Sequence, residues 1–286
     1  MSRIILFSGL ISYSRSFTIH KLINRNIREK LLSFPPIRFC NAEFWHSHHA
    51  TFAVSNAHKH MQMIRKEKIT IRLHALNWTM GEVAFFDLEL SSIGSLKVDW
   101  GDGHTSSYQS FHAGESIRIE HDYGTKVKAA EEHFVVSSEC FDCTFKAFDS
   151  GCFDMHIDEL DFSESPSIEK LRICWNGPTD LSPLVALKRL ECRGTSAKVL
   201  DLRCNTSIEF LDCSCSEVQK VLASKCDHLR EILCSCCHEL REITLSNESQ
   251  LSKIEISPDH KMKEKSWNYV QKTIQKNNGE IEIWTT

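Results

Sequence analysis

Thirteen cysteines and fifteen histidines are the residues of this 286-residue chain best equipped for chemistry. Thiolates and imidazoles ligate zinc, and a thiol beside a base is a nucleophile. One stretch gathers Cys213, Cys215, Cys234, Cys236, Cys237 and His238. A zinc site would need four such ligands to converge at about 2.0–2.3 Å from one ion, and it would use paired C-x2-C spacing. The observed spacing is different. Cys192, Cys213 and Cys234 stand 21 residues apart, as do Cys215 and Cys236, and Cys204 and Cys226 are 22 apart. Equal places in a repeating unit ask for the same small apolar side chain each time, so these thiols read as core filler. A zinc-stabilised domain or a cryptic metalloenzyme is the competing reading. Cys140-Phe141-Asp142-Cys143 has the pair spacing, but no second pair stands in register; it reads as the first strand of the repeat array. Cys237-His238 lacks the orienting acid and the oxyanion glycines that a catalytic thiol needs.

Two more groups invite a functional reading. His46, His48, His49, His58 and His60 lie in a leading stretch that carries eight more positive than negative charges over residues 1–68, against a net −4 for the whole chain. With no cysteine or carboxylate in register they read as a solvated, poorly ordered basic segment. The Arg-rich, acid-poor composition is also that of an organelle transit peptide, or of a start assigned too early, with Met61 or Met63 the true first residue. No cleavable signal peptide is recognised. Asp99 and Asp102, with His121 and Asp122, could form a metal site or an acid–base pair. Asp99-Trp100-Gly101-Asp102-Gly103 reads first as a tight turn, with Asp102 capping it, Trp100 packed inside and Tyr123 anchoring a corner.

Two kinds of element must position these residues. From Ile69 the apolar residues alternate: Ile69, Ile71 and Leu73; Phe86, Leu88 and Leu90; Leu96 and Val98; Ile117 and Ile119. Period two is the mark of half-buried strands. From Ile157 aliphatic pairs three apart recur, and from Ile208 they return every 10 or 11 residues, giving a unit L-x-x-L-x-(L/C) doubled to 21–22. One such unit cannot bury its own apolar face; stacked units can, as a solenoid with a parallel sheet. Residues 174–186 break the beat. At the end, Ser266, Trp267, Val270 and Ile274 have helical spacing with Ser266 as N-cap, Asn277-Asn278-Gly279 stop the helix, and Glu280–Trp284 alternate as a last strand.

The string Val98–Gly103 with His121-Asp122-Tyr123 resembles the WGDG…H-x-Y signature of PKD-like β-sandwich domains over about residues 69–138. The unit seen in Leu200-Asp201-Leu202, Leu211-Asp212-Cys213-Ser214 and Ile232-Leu233-Cys234-Ser235 resembles bacterial leucine-rich repeats over about 155–258, of the kind that follows PKD-like modules in surface proteins of gut Bacteroidetes. Cys215-Ser216-Glu217 and Cys236-Cys237-His238 stand where that family carries its asparagine ladder. The expected fold is mainly β with short helices. A basic segment covers 1–66, a PKD-like sandwich 67–138, a repeat solenoid 139–258 and a helix–strand cap 259–286.

No nucleophile triad, phosphate loop, dinucleotide turn or HExxH string occurs, and no apolar run is long enough for a membrane helix. The expectation is a non-enzymatic binding protein with no cofactor and no metal. Its working surface would be the outward sheet face: Arg172, Glu191, Asp201, Asp212, Leu233, Thr244 and Glu255, together with Asp161. That face leans acidic, so the expected ligand is a protein or glycan and not a nucleic acid. The resemblance implies a cell-surface or secreted location. The odd cysteine count and the lack of a signal peptide point to an intracellular scaffold instead.

Overall fold

The computed structural model describes residues 66–74, 83–123, 133–150, 157–173 and 180–284. The basic leading stretch with its five clustered histidines lies outside the described residues. The chain is mainly β, with one described helix. The first eight strands are β1 (Lys68–His74), β2 (Val83–Leu90), β3 (Gly94–Asp99), β4 (Thr105–Ser110), β5 (Ser116–Asp122), β6 (His133–Phe141), β7 (Phe145–Asp149) and β8 (Ile157–Glu164). They build two facing layers. One is the five-stranded antiparallel sheet β4-β3-β6-β1-β8; the other begins β5-β2-β7. The alternation read from the sequence is the burial pattern: Ile69, Ile71, Leu73, Phe86, Leu88, Leu96 and Val98 are buried between the layers. Phe148 of β7 packs against Phe86 at 5.7 Å and against Phe162 of β8 at 5.5 Å, so the layers touch through aromatic rings.

Then come β9 (Lys170–Arg172), β10 (Arg189–Glu191), β11 (Val199–Asp201), β12 (Phe210–Asp212), β13 (Lys220–Ala223), β14 (Glu231–Cys234), β15 (Glu242–Leu245), β16 (Lys253–Ile256), α1 (Glu264–Lys276) and β17 (Glu280–Ile283). These form a β-solenoid of about four turns. It differs from the expected coil with a single parallel sheet. Successive half-units carry strands on opposite sides: β9, β10, β12, β14, β16 and β17 on one, β11, β13 and β15 on the other. The reason lies in the eleven-residue beat itself, because each L-x-L is a strand and each following corner reverses the chain.

Pairing continues through position 138 without a break. β6 spans it, β8 pairs antiparallel with β1, and β7 pairs antiparallel with β2 and parallel with β9. Cys140 therefore belongs to the last strand residues of β6 in the five-stranded sheet, and Cys143 stands in the turn before β7. The second layer becomes a nine-stranded sheet, β5-β2-β7-β9-β10-β12-β14-β16-β17, and one apolar cluster runs from Ile69 to Ile274.

The N-cap of α1 is Lys263 and not Ser266; no side chain caps it. Ser266 does other work inside the helix. Its hydroxyl accepts from the Ile243 N–H at 3.0 Å and donates to the Ile243 carbonyl at 3.1 Å, closing the edge that β15 would leave open. Val270 and Ile274 are buried against the last coil. Asn278 (φ 53°) and Gly279 turn the chain into β17, and a Cβ on Gly279 would sit 1.9 Å from the Ser252 carbonyl oxygen.

Candidate functional site

The strand pattern exposed–buried–exposed places two outward rows on the long sheet for each inward leucine. One row runs, neighbour to neighbour, through Arg118, Asp87, Asp149, Arg172, Glu191, Asp212, Leu233, Glu255 and Glu282. Five of the expected surface residues (Arg172, Glu191, Asp212, Leu233, Glu255) therefore lie on one ladder. Asp201 and Thr244 do not join them; they belong to β11 and β15 on the opposite, three-stranded sheet, and Asp161 lies on β8.

Much of the ladder is internally paired. Arg118 clasps Asp87 at 2.7 Å, and Arg172 reaches Asp149 at 3.4 Å and Glu191 at 3.8 Å. Asp212 is nearly buried and accepts the Ser214 N–H at 3.0 Å; Asp201 accepts the Arg203 N–H at 3.1 Å and its guanidinium. These aspartates bend the chain at the strand ends, which explains their recurrence. Arg203 holds the Asp201 carboxyl down at about 2, through its side-chain and backbone hydrogen bonds against a smaller desolvation. Glu255 accepts from the Ser235 hydroxyl.

Two apolar side chains stand among charged ones near the centre of the long face. Phe210 and Leu233, both half-buried, sit diagonally across β12 and β14, and the Arg189 guanidinium lies 3.6 Å from the Phe210 ring centroid. Arg189 and Phe210 were not among the expected surface residues. That expectation took only the residue between the two inward ones, whereas the residue preceding the first inward leucine faces out as well.

The thiols divide. Cys192, Cys213 and Cys234 are buried inside the coils. Cys215 and Cys236 turn corners with positive φ (58° and 56°), where the equivalent position one turn earlier is Gly194 (72°). Cys226 and Cys237 donate to backbone carbonyls of the preceding coil, Leu202 at 3.2 Å and Cys213 at 3.0 Å. The same corner place holds Asn205, whose amide donates to the Leu181 and Leu184 carbonyls. Hydrogen bonding to Cys237 and burial push the Cys213 thiol well above its ordinary value. The Cys213–His238 sextet is thus split between interior and corner.

One group among the described residues does bring three potential ligand atoms within 4.8 Å of one another: Asp102, His104 and His121. Asp102 Oδ1 accepts the His104 backbone N–H at 2.9 Å, which holds the turn. Its Oδ2 faces His104 Nδ1 at 2.8 Å and His121 Nε2 at 3.1 Å. Burial works to raise the Asp102 pKa, but the hydrogen bonds from His104 and His121 outweigh it and hold the carboxyl well below the usual range. Trp100 is fully buried and Tyr123 donates to the Trp100 carbonyl at 2.9 Å. Asp99 accepts the Gly101 N–H at 3.0 Å. Gly101 needs its positive φ of 76°, and a Cβ there would lie 2.7 Å from the Val135 carbonyl oxygen. The sequence reading named His121 and missed His104, because nothing in the spacing says that a residue beside the turn meets a strand seventeen residues later.

Compared with known proteins, the chain matches no family model, no curated protein and no solved structure.

Proposed function

We propose that this chain is a non-enzymatic protein-binding module that recognises its partner with the outward face of the nine-stranded sheet. The observation that carries this reading is the centre of that face: an aromatic ring, a leucine and an arginine (Phe210, Leu233, Arg189) surrounded by charged residues. Aromatic and arginine anchors inside a polar rim are the composition of protein interfaces. A glycan fits less well, because the Arg189 guanidinium already covers the Phe210 ring that a sugar would stack on. The acid-leaning row argues against nucleic acid.

The turn Asp99–Gly103 with His121 and Tyr123, and the L-x-x-L-x-(L/C) beat, support the finer reading: a PKD-like module leading into leucine-rich repeats, displayed on a bacterial surface. An intracellular scaffold is the other location compatible with the same face. The mature N-terminus, determined by mass spectrometry, together with thiol titration of freshly isolated protein, separates the two.

The binding test compares proteins that co-purify with the wild type, with Phe210→Glu and Leu233→Glu, and with Leu222→Glu on the opposite sheet. A stoichiometric partner retained by the wild type and Leu222→Glu but lost by the other two supports the reading. Equal retention by all, or no stoichiometric partner for any, overturns it. Each anchor is expected to contribute about 1–2 kcal/mol or more to binding.

A further inference from the structure

Asp102 uses its two carboxylate oxygens differently. Oδ1 is committed to the turn through the His104 N–H at 2.9 Å, while Oδ2 is the meeting point of two imidazole nitrogens at 2.8 and 3.1 Å. The second ligand, His121, is fixed on two sides. Its ring stacks on Trp100 with centroids 4.8 Å apart and planes 19° apart, and meets the edge of Tyr123 at 4.6 Å and 85°. Those two rings are themselves held, Trp100 Nε1 donating to Ser106 Oγ at 3.0 Å and Tyr123 to the Trp100 carbonyl. The third ligand, His104, is different: its side chain is 56% exposed, against 14% for His121 and 3% for Asp102. Two ligands are therefore held in place by packing and the third approaches from the solvent side.

We propose that Asp102, His104 and His121 form a binding site for a borderline transition-metal dication, Zn2+ being the natural occupant, with solvent completing the coordination. Two imidazole nitrogens and one carboxylate oxygen suit Zn2+, Co2+ or Ni2+ and not the oxygen-seeking Ca2+ or Mg2+. Tetrahedral bonds of about 2.0–2.2 Å set ligand atoms about 3.4 Å apart. Oδ2, now 2.8 and 3.1 Å from the two nitrogens, must draw back from them toward that spacing, and the nitrogens, which lie within 4.8 Å of each other, must settle to it as well; the exposed His104 supplies that movement. Each imidazole presents to the ion the nitrogen that now faces Oδ2, and its proton moves to the other ring nitrogen. The site has a mechanical setting. His104 immediately precedes β4, the edge of the five-stranded sheet, and His121 belongs to β5, the edge of the nine-stranded sheet. A bound ion clips the two layers together at these end strands.

The test uses the full chain under reducing conditions, with Co2+ as the spectroscopic probe and Zn2+ for thermal shifts. His104→Ala removes the exposed ligand. Asp102→Asn keeps an oxygen for the turn but removes the anionic one. The wild-type-minus-variant difference should be one equivalent of Co2+, with visible d–d bands and no thiolate charge-transfer band, which distinguishes this site from the cysteines and from the leading histidines. Affinity at that equivalent should fall about tenfold or more in either variant. Zn2+ should raise the melting temperature of the wild type by more than that of His104→Ala. Identical Co2+ titrations and spectra for wild type and His104→Ala, or a difference spectrum dominated by thiolate bands, overturn the proposal.

Discussion

At the scale of single residues, Asp102 ties part of the acid sensitivity of the fold to one turn. Its folded pKa is depressed from an ordinary value near 3.8, because hydrogen bonds from His104 and His121 outweigh its burial. A depressed carboxylate contributes stability that is complete above the unfolded pKa and is lost as pH falls toward the folded one. Melting temperature should therefore drop more steeply below about pH 4 for the wild type than for Asp102→Asn, whose amide does not titrate there. Parallel curves in a pH series of thermal melts would remove Asp102 from the explanation. A second residue-level expectation concerns backbone strain. Cys215 holds φ 58° where the preceding turn has Gly194 at 72°. An L-residue in that region is strained, so Cys215→Gly should raise stability by about 0.5 kcal/mol in urea melts, the relief being partly offset by the entropy of glycine. Residues of this kind were only half readable beforehand. The aspartate–glycine turn announces itself in sequence; the partner that closes it from another strand, His104 against His121, is a matter of three-dimensional return.

At the scale of elements, the repeat was legible because one physical requirement recurs, an inward leucine every half-turn. Leu211, Ile232 and Leu245 were all expected inside and all are buried. Leu211→Ala should cost about 2–5 kcal/mol, read from the denaturant midpoint. The two-sided arrangement was not legible, because L-x-L alternation tells which way a side chain points relative to its own strand and not which sheet the strand joins. The helix illustrates the same limit. Trp267, Val270 and Ile274 have visible spacing, but Ser266 reads as a cap until the unpaired edge of β15 is seen beside it. Gly279→Ala should be among the most damaging changes in the cap. The Ser252 carbonyl lies 1.9 Å from the new Cβ, so β17 must move away from β16. Hydrogen exchange should show lost protection in β16 and β17, with β10 and β12 unchanged.

At the scale of the molecule, the strand that matters is β7, which is antiparallel to one neighbour and parallel to the other. Through it the layered half and the coiled half share one apolar interior. Tryptophan fluorescence, to which buried Trp100 in the layered half and partly buried Trp267 in the helix both contribute, and far-ultraviolet circular dichroism should therefore report one coincident unfolding transition. Phe148→Ala, which removes a ring touching both Phe86 and Phe162, should shift both probes together by about 3–5 kcal/mol. Two separated transitions would mean that the interior divides at β7. The expected boundary at 138 follows the end of the sandwich resemblance, and strand pairing runs past that position through β6, β7 and β8.

Because successive half-units face opposite ways, the number of half-units between β12 and α1 obeys a parity rule. Duplicating one full turn, 21 or 22 residues, would return every side chain to its own sheet and deliver α1 to the same edge as before. Duplicating eleven residues would bring the helix round to the wrong side, with the Ser266 hydroxyl facing away from the strand it must close. A lineage of such chains can grow or shrink only in even steps, and a member differing by a single half-unit would have to replace its ending as well.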